Sequence, residues 1–253
     1  MMIVRSRRAT LLAILSLSAL AACEVGVTPA GGGDDDGDDD VQVDAAPAID
    51  AAAAVYQLAV TPATASTILG TDTTFTVTVD AQRFDGPVTL TATGAPTSWT
   101  VAITPSTVNV IDGGSATATV KVTIPPNGDA AAAGQVLTIN AESTVAGAES
   151  STAVLTVAKE YDFKIGSGTG AGTHFGALNG GVVRVKAGTL VKIQNLDGTQ
   201  HRIHSGGGIG GFPHQDNNMA SGDAYAVTVT DGSDSFYCHI HGQNTGDVNL
   251  VVE

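Results

Sequence analysis

The chain has few aromatic residues (4%) and few charged ones (14%), and no long helical pattern follows its first residues. What fills it instead is Thr, Val, Ala and Gly. Thr and Val favour strands and Gly favours the turns between them, so the composition points to an all-β fold. Positive charge is also scarce, with 11 Lys and Arg against 25 Asp and Glu and a net charge of −14. So acidic a chain is a poor partner for nucleic acid. The apolar run from Leu11 to Leu20 is too short for a convincing membrane span. Cysteine is almost missing: Cys23 and Cys238 are the only two in 253 residues.

The first residues read as an export signal, not as part of the fold. Arg5, Arg7 and Arg8 form a basic start, the apolar run follows, and Leu20-Ala21-Ala22-Cys23 closes it. That tetrapeptide resembles a bacterial lipobox, which implies cleavage before Cys23 and a lipid on its sulfur. Ser6-Arg7-Arg8 hints at a twin-arginine signal, but Ala9 and Thr10 fit it poorly, so general secretion is favoured. Glu24 is not the Asp associated with inner-membrane retention, so the expectation is an exported protein anchored through Cys23 to the outer membrane, on its periplasmic face or at the cell surface. Loss of the three arginines takes the net charge to about −17. Cys238 is then the one free thiol in an oxidising compartment, where metal ligation would occupy it.

Residues 1–22 are therefore expected to be signal peptide and residues 23–54 a tether. Gly31-Gly32-Gly33 and the aspartates Asp34, Asp35, Asp36, Asp38, Asp39 and Asp40 cannot bury apolar surface, and like charges keep such a segment extended. A calcium site is the sharper alternative, but the oxygen spacing matches no EF-hand loop.

Residues 55–159 show about seven candidate strands: Tyr56–Val60, Thr73–Val79, Val88–Thr93, Thr100–Ile103, Ala116–Thr123, Gln135–Asn140 and Ala153–Val157. Two of them alternate Thr with apolar residues, as a half-buried strand does. Asp85-Gly86, Asp112-Gly113-Gly114 and Pro125-Pro126-Asn127-Gly128 supply the turns. That count and spacing predict a β-sandwich. Phe84-Asp85-Gly86-Pro87-Val88-Thr89-Leu90, with Gly94-Ala95-Pro96 after it, resembles bacterial immunoglobulin-like domains. The region has no His or Cys to support transition-metal chemistry, Trp99 reads as a packing residue, and the expected role is a spacer.

Every histidine of the chain lies in residues 160–253: His174, His201, His204, His214, His239 and His241, together with Cys238. Such a concentration beside the one spare thiol points to a metal. Three segments carry it. The run from Val182 to Asn195 reads as two alternating strands around an Ala187-Gly188 turn and leads through Asp197-Gly198-Thr199-Gln200 to His201. Gly222 precedes a strand bearing Tyr225. Ser235-Phe236-Tyr237-Cys238-His239-Ile240-His241 is followed by Gly242 and then Gly246.

Asn195 and His201, Gly222 and Tyr225, then Tyr237, Cys238, His241 and Gly246 together resemble the cupredoxin family of small blue copper proteins, in the family's order over about ninety residues. The resemblance implies a Greek-key β-sandwich over residues 160–253 and one copper ion held by His201, Cys238 and His241. The overall expectation is an all-β protein, an immunoglobulin-like sandwich followed by a cupredoxin one. One soft thiolate with two imidazoles suits copper. His201 would come from a strand distant from Cys238, so the site would staple two sheets. The implied function is electron transfer through Cu(I)/Cu(II), not catalysis, with an unidentified redox protein as partner.

The family's weak axial Met is missing. Asn244 stands at its place, with Gln243 beside it or no axial ligand as alternatives, and an amide oxygen there would lower the reduction potential. Met219 lies outside the motif. Alternation turns His239 and His204 away from the inner face, and His214 lies in a loop. These three either form a second, outer metal site or are simply exposed, or, like Asn195, stand behind the ligands of the first; His174, in a Gly-rich loop, carries less weight still. Cys238-His239-Ile240 is also similar to multicopper oxidases, but Tyr237 stands where a second His would precede the Cys, and the other paired-His motifs are missing. A dinuclear site with two cysteines is excluded. Two further functions remain open: copper storage, delivery or resistance without electron transfer, and a metal-free interaction module at the cell surface.

Overall fold

A computed structural model of the chain describes residues 53–166, 174–178, 180–242 and 247–253. Cys23, the aspartate tract, Gln243, Asn244 and Gly246 lie outside the described residues.

The first half contributes β1 (Val55–Thr61), β2 (Thr64–Ile68), β3 (Asp72–Gln82), β4 (Gly86–Thr93), β5 (Thr100–Thr104), β6 (Thr107–Val110), β7 (Ser115–Thr123), β8 (Ala131–Ser143) and β9 (Gly147–Ala158). They form a four-stranded sheet ordered β1-β3-β7-β5 and a five-stranded sheet ordered β2-β9-β8-β4-β6. Period-two alternation builds both. In β3, Phe75, Val77, Val79 and Ala81 are buried while Thr74 and Thr76 are exposed; in β7, Ala118, Val120 and Val122 repeat the pattern. All seven expected strands are present. Two more, β2 and β6, were not expected. β2 has Ile68 as its one large apolar residue and exists because it pairs in parallel with β9, from Thr64↔Val154 to Ala65↔Leu155 and on to Ile68↔Ala158. β6 is four residues long and is set by its antiparallel pairing to β4. Trp99 is a core residue, 6% exposed, and its Nε1 donates to the Asp129 carbonyl at 2.8 Å.

The second half contributes β10 (Glu160–Ile165), β11 (Val182–Val185), β12 (Leu190–Asn195), β13 (Ile203–Ser205), β14 (Ala224–Thr228), β15 (Ser233–Cys238) and β16 (Val248–Val252). One sheet is ordered β10-β12-β14 and the other β11-β16-β15-β13. From β10 to β15 the chain changes sheet at every step. β11 and β12 are therefore not the paired strands that a turn at Ala187-Gly188 would suggest. β11 runs parallel to β16, and β12 runs parallel to β10 and antiparallel to β14. The turn, closed by Thr189 N donating to the Lys186 carbonyl at 3.1 Å, carries the chain from one sheet to the other. An aromatic core fills the space between the sheets: Phe163 of β10 meets Phe236 of β15 edge-on, ring centroids 4.9 Å apart.

Lys159 alone separates β9 from β10, and the two halves touch beyond it. Leu69 N donates to the Glu160 carbonyl at 2.9 Å, and Lys186 pairs with Asp129. Gly70 has φ +75°, and a Cβ there would fall 2.2 Å from the Tyr161 ring, so this contact requires glycine.

Candidate metal centre

β10 and β12 are parallel, so the connections leaving them open at the same end of their sheet. The first connection carries His174 and the second carries His201. From the facing sheet, β15 ends on Cys238. Within β15 the buried residues are Phe236 and Cys238, whereas Tyr237 is partly exposed, and His239, just past the strand, is exposed, as alternation requires. After Cys238 the chain turns tightly. Gly242 N donates to the Cys238 carbonyl at 3.1 Å, with Gly242 at φ +89°, a conformation other residues rarely adopt. The turn folds His241 back until its Nδ1 lies 3.2 Å from Cys238 Sγ.

The imidazoles of His201 and His241 have centroids 4.8 Å apart, and His174 lies 5.1 Å from the first and 5.0 Å from the second. One ligand nitrogen from each of the three lies within 4.8 Å of the others. His174, His201 and Cys238 are each fully buried and His241 partly so. The structure thus gathers His201 and His241 with His174, which sequence reasoning set aside, and places Cys238 Sγ against His241; the sulfur is not part of the three-histidine group itself. The path of His174 through a Gly-rich connection obeys no alternation rule. The available signal was its neighbour Phe175, which anchors the connection by packing on Phe163 and Phe236. Gln243 and Asn244, the amides expected in the axial role, fall outside the described residues. Met219 is buried in the core and faces His201 through a two-way backbone bridge.

The donors are prepared for a metal. His201 Nε2 donates to Asp197 Oδ2 at 3.1 Å, which leaves the Nδ1 lone pair available; that atom is buried and has no hydrogen-bond partner among the described residues. Burial pushes the His201 pKa below its ordinary value of 6.5; the bond to Asp197 opposes this and His241 adds to it. The ring is therefore neutral at neutral pH, as a metal ligand must be. Asp197 was not singled out in the sequence. It is itself buried and also accepts from Gly198 N at 2.7 Å and Thr199 Oγ1 at 2.9 Å. Asn195 supports the same loop. Its Nδ2 donates to the Thr199 and Met219 carbonyls at 2.8 and 3.1 Å, and its Oδ1 accepts from Asp197 N at 2.9 Å. Carboxylates behind ligating histidines fix the tautomer and raise basicity. Asp197→Asn should therefore weaken metal binding about 10- to 100-fold, measured by competition with a chelator of known affinity; unchanged affinity would remove Asp197 from this role.

The remaining histidines form a second group on the outer face. His204 of β13 is paired with Tyr237 of β15 and stacks on its ring, centroids 5.0 Å apart. His204 Nδ1 lies 3.2 Å from His239 Nδ1, and the His204 and His214 centroids are 4.1 Å apart. Burial lowers the His204 pKa, as do the charges of His214, His239 and Arg202.

No family model matches the sequence, and no curated relative matches it. Solved structures do resemble parts of the fold. An oxidised amicyanin variant is 21% identical over 38% of this chain and 84% of its own, with a TM-score of 0.30. A purple cupredoxin from Nitrosopumilus maritimus is 24% identical over 36% of this chain and 98% of its own, at 0.29. The BIgI domain of the beta protein from S. agalactiae, solved bound to CEACAM1, is 18% identical over 40% of this chain and 95% of its own, at 0.27. The chain is all-β, with two sheets in each half, as the strand order and register above define.

Proposed function

We propose that His201, Cys238 and His241, joined by His174, hold one copper ion and that the protein carries electrons. The observation that carries this reading is the 3.2 Å approach of Cys238 Sγ to His241 Nδ1, with the buried imidazoles of His174 and His201 grouped with His241. A thiolate sulfur and an imidazole nitrogen on one tetrahedral ion at ordinary bond lengths lie about 3.6 Å apart, so a small outward shift of His241 would admit the ion. A soft thiolate among imidazoles is a donor set suited to copper, and bound copper would supply a one-electron Cu(I)/Cu(II) couple. The residues themselves do the rest. Asp197 and Asn195 hold His201 in place, the Gly242 turn holds His241, and the aromatic core holds the strand that carries Cys238. A site so braced changes little when charge changes, which suits a carrier and not an enzyme. His174 supplies a nitrogen donor in place of the missing Met, and such a donor favours Cu(II) over Cu(I) relative to a thioether. In this reading the protein is exported, lipid-anchored through Cys23 at the outer membrane, and lifted from it by the immunoglobulin-like sandwich to meet a redox protein.

The test is titration of the full chain with Cu²⁺, followed by visible and electron paramagnetic resonance spectra and by voltammetry. One equivalent should give strong thiolate-to-Cu(II) absorption and cycle reversibly. Absorption without reversible cycling would favour storage or delivery, and absence of the absorption would overturn the copper reading.

A further inference from the structure

The six histidines divide without remainder into two groups of three. The first belongs to the buried centre. We infer that the second, His204, His214 and His239, is a separate, solvent-facing site for a divalent late transition-metal ion. One ligand nitrogen from each of the three lies within 4.8 Å of the others. The His204 and His239 Nδ1 atoms are 3.2 Å apart, while two imidazole nitrogens on one tetrahedral ion at ordinary bond lengths are about 3.3 Å apart.

The three rings are held by different elements, each fixed independently of any ion. His204 and His239 share the outer face of the β13–β15 pair, because Ile203 and Cys238, their immediate neighbours, are directly opposite each other and buried. His239 N donates to the Arg202 carbonyl at 2.7 Å, which continues that pairing past the end of β15. His214 comes from the long β13–β14 connection, pinned on both sides of it. Gln215 N donates to the Ile203 carbonyl at 3.1 Å, Gln215 Oε1 accepts from Ile203 N at 2.8 Å, and the Pro213 carbonyl accepts from Tyr225 Oη at 2.5 Å. His214 and His239 are exposed and His204 partly so, so the group opens to solvent. Three imidazoles without a thiolate suit Cu²⁺, Zn²⁺ or Ni²⁺, with Cu²⁺ bound most tightly. The open side leaves room for water or an outside ligand on the ion. The two groups are joined through the chain: His239 follows Cys238 directly, and His204 lies three residues after His201. An ion at the outer site would thus be one peptide link from the buried thiol.

Cu²⁺ titration of the full chain tests this. The wild type should bind a second equivalent that adds no thiolate absorption and shows nitrogen hyperfine structure in its paramagnetic resonance spectrum. The double variant His214→Ala/His239→Ala should lose that equivalent, with circular dichroism reporting the fold. His214→Gln and His239→Gln, which keep size and polarity, should each weaken it at least about tenfold. In Cys238→Ser the outer equivalent should persist, so this arm separates the outer site from the buried one. A second equivalent left unchanged by the histidine substitutions would place the ion elsewhere, for instance on the aspartate tract, and overturn the inference. So would a wild-type chain that takes up no such equivalent.

Discussion

Replacing Cys238 by Ser should abolish the thiolate-to-copper absorption and weaken copper binding by more than about 100-fold, the upper range for changes that merely surround a ligand. Serine is close to cysteine in size, so the buried position is not opened into a cavity, and its hydroxyl can keep the contact with His241 Nδ1. The fold should therefore survive, with apo stability nearly unchanged. What is lost is chemical: a hydroxyl is a hard donor that stays protonated at neutral pH, whereas the thiolate is the soft ligand that selects copper. The remaining imidazoles of His174, His201 and His241 could still gather a borderline ion, so residual weak binding without the absorption is the expected result. Competition against a chelator, with spectra recorded alongside, reads both effects. A Cys238→Ser protein with wild-type affinity would show that the thiol is not a ligand.

Phe236→Ala should destabilise the protein by about 3–5 kcal/mol, the range for removing a fully buried aromatic side chain. Phe236 is completely buried and meets three rings from different segments. It is edge-on to Phe163 at 4.9 Å and to Phe175 at 5.3 Å, and it stacks on Phe212 at 5.5 Å with planes 24° apart. The truncation leaves a void between the two sheets that no single neighbour can fill. Because whole domains are stable by only about 5–15 kcal/mol, the effect should be plain in urea denaturation. The metal centre should feel it too. Phe236 stands two residues before Cys238 on the same face of β15, and Phe175 follows His174, so the cluster positions two donors at once. A loss below about 1 kcal/mol would show that the void closes and that the aromatic cluster does not brace the site.

Much of this could be read along the chain. Alternation of Thr with Val located β3 and β7, and the same rule turned Cys238 inward and His239 outward. The spacing from Cys238 to His241, with Gly242 after it, anticipated the turn that brings sulfur and nitrogen together. Short-range rules failed where pairing, not local pattern, makes the strand. β2 is held by β9 some ninety residues away, and β11 and β12 share a turn but belong to different sheets.

The histidines draw the same line. Sequence by itself determined that a thiol and six imidazoles share one small β region, and that His201, Cys238 and His241 stand in an order that resembles the cupredoxin motif. It ranked His174 last, since a ring's neighbours depend on which connections open at the same end of a sandwich. Only the tertiary structure decided that His174 joins the buried group, because parallel β10 and β12 deliver their outgoing connections to one place. It alone gathered His204, His214 and His239 outside, because β13 pairs with β15 in a register that puts Ile203 opposite Cys238 and leaves the alternate residues facing solvent.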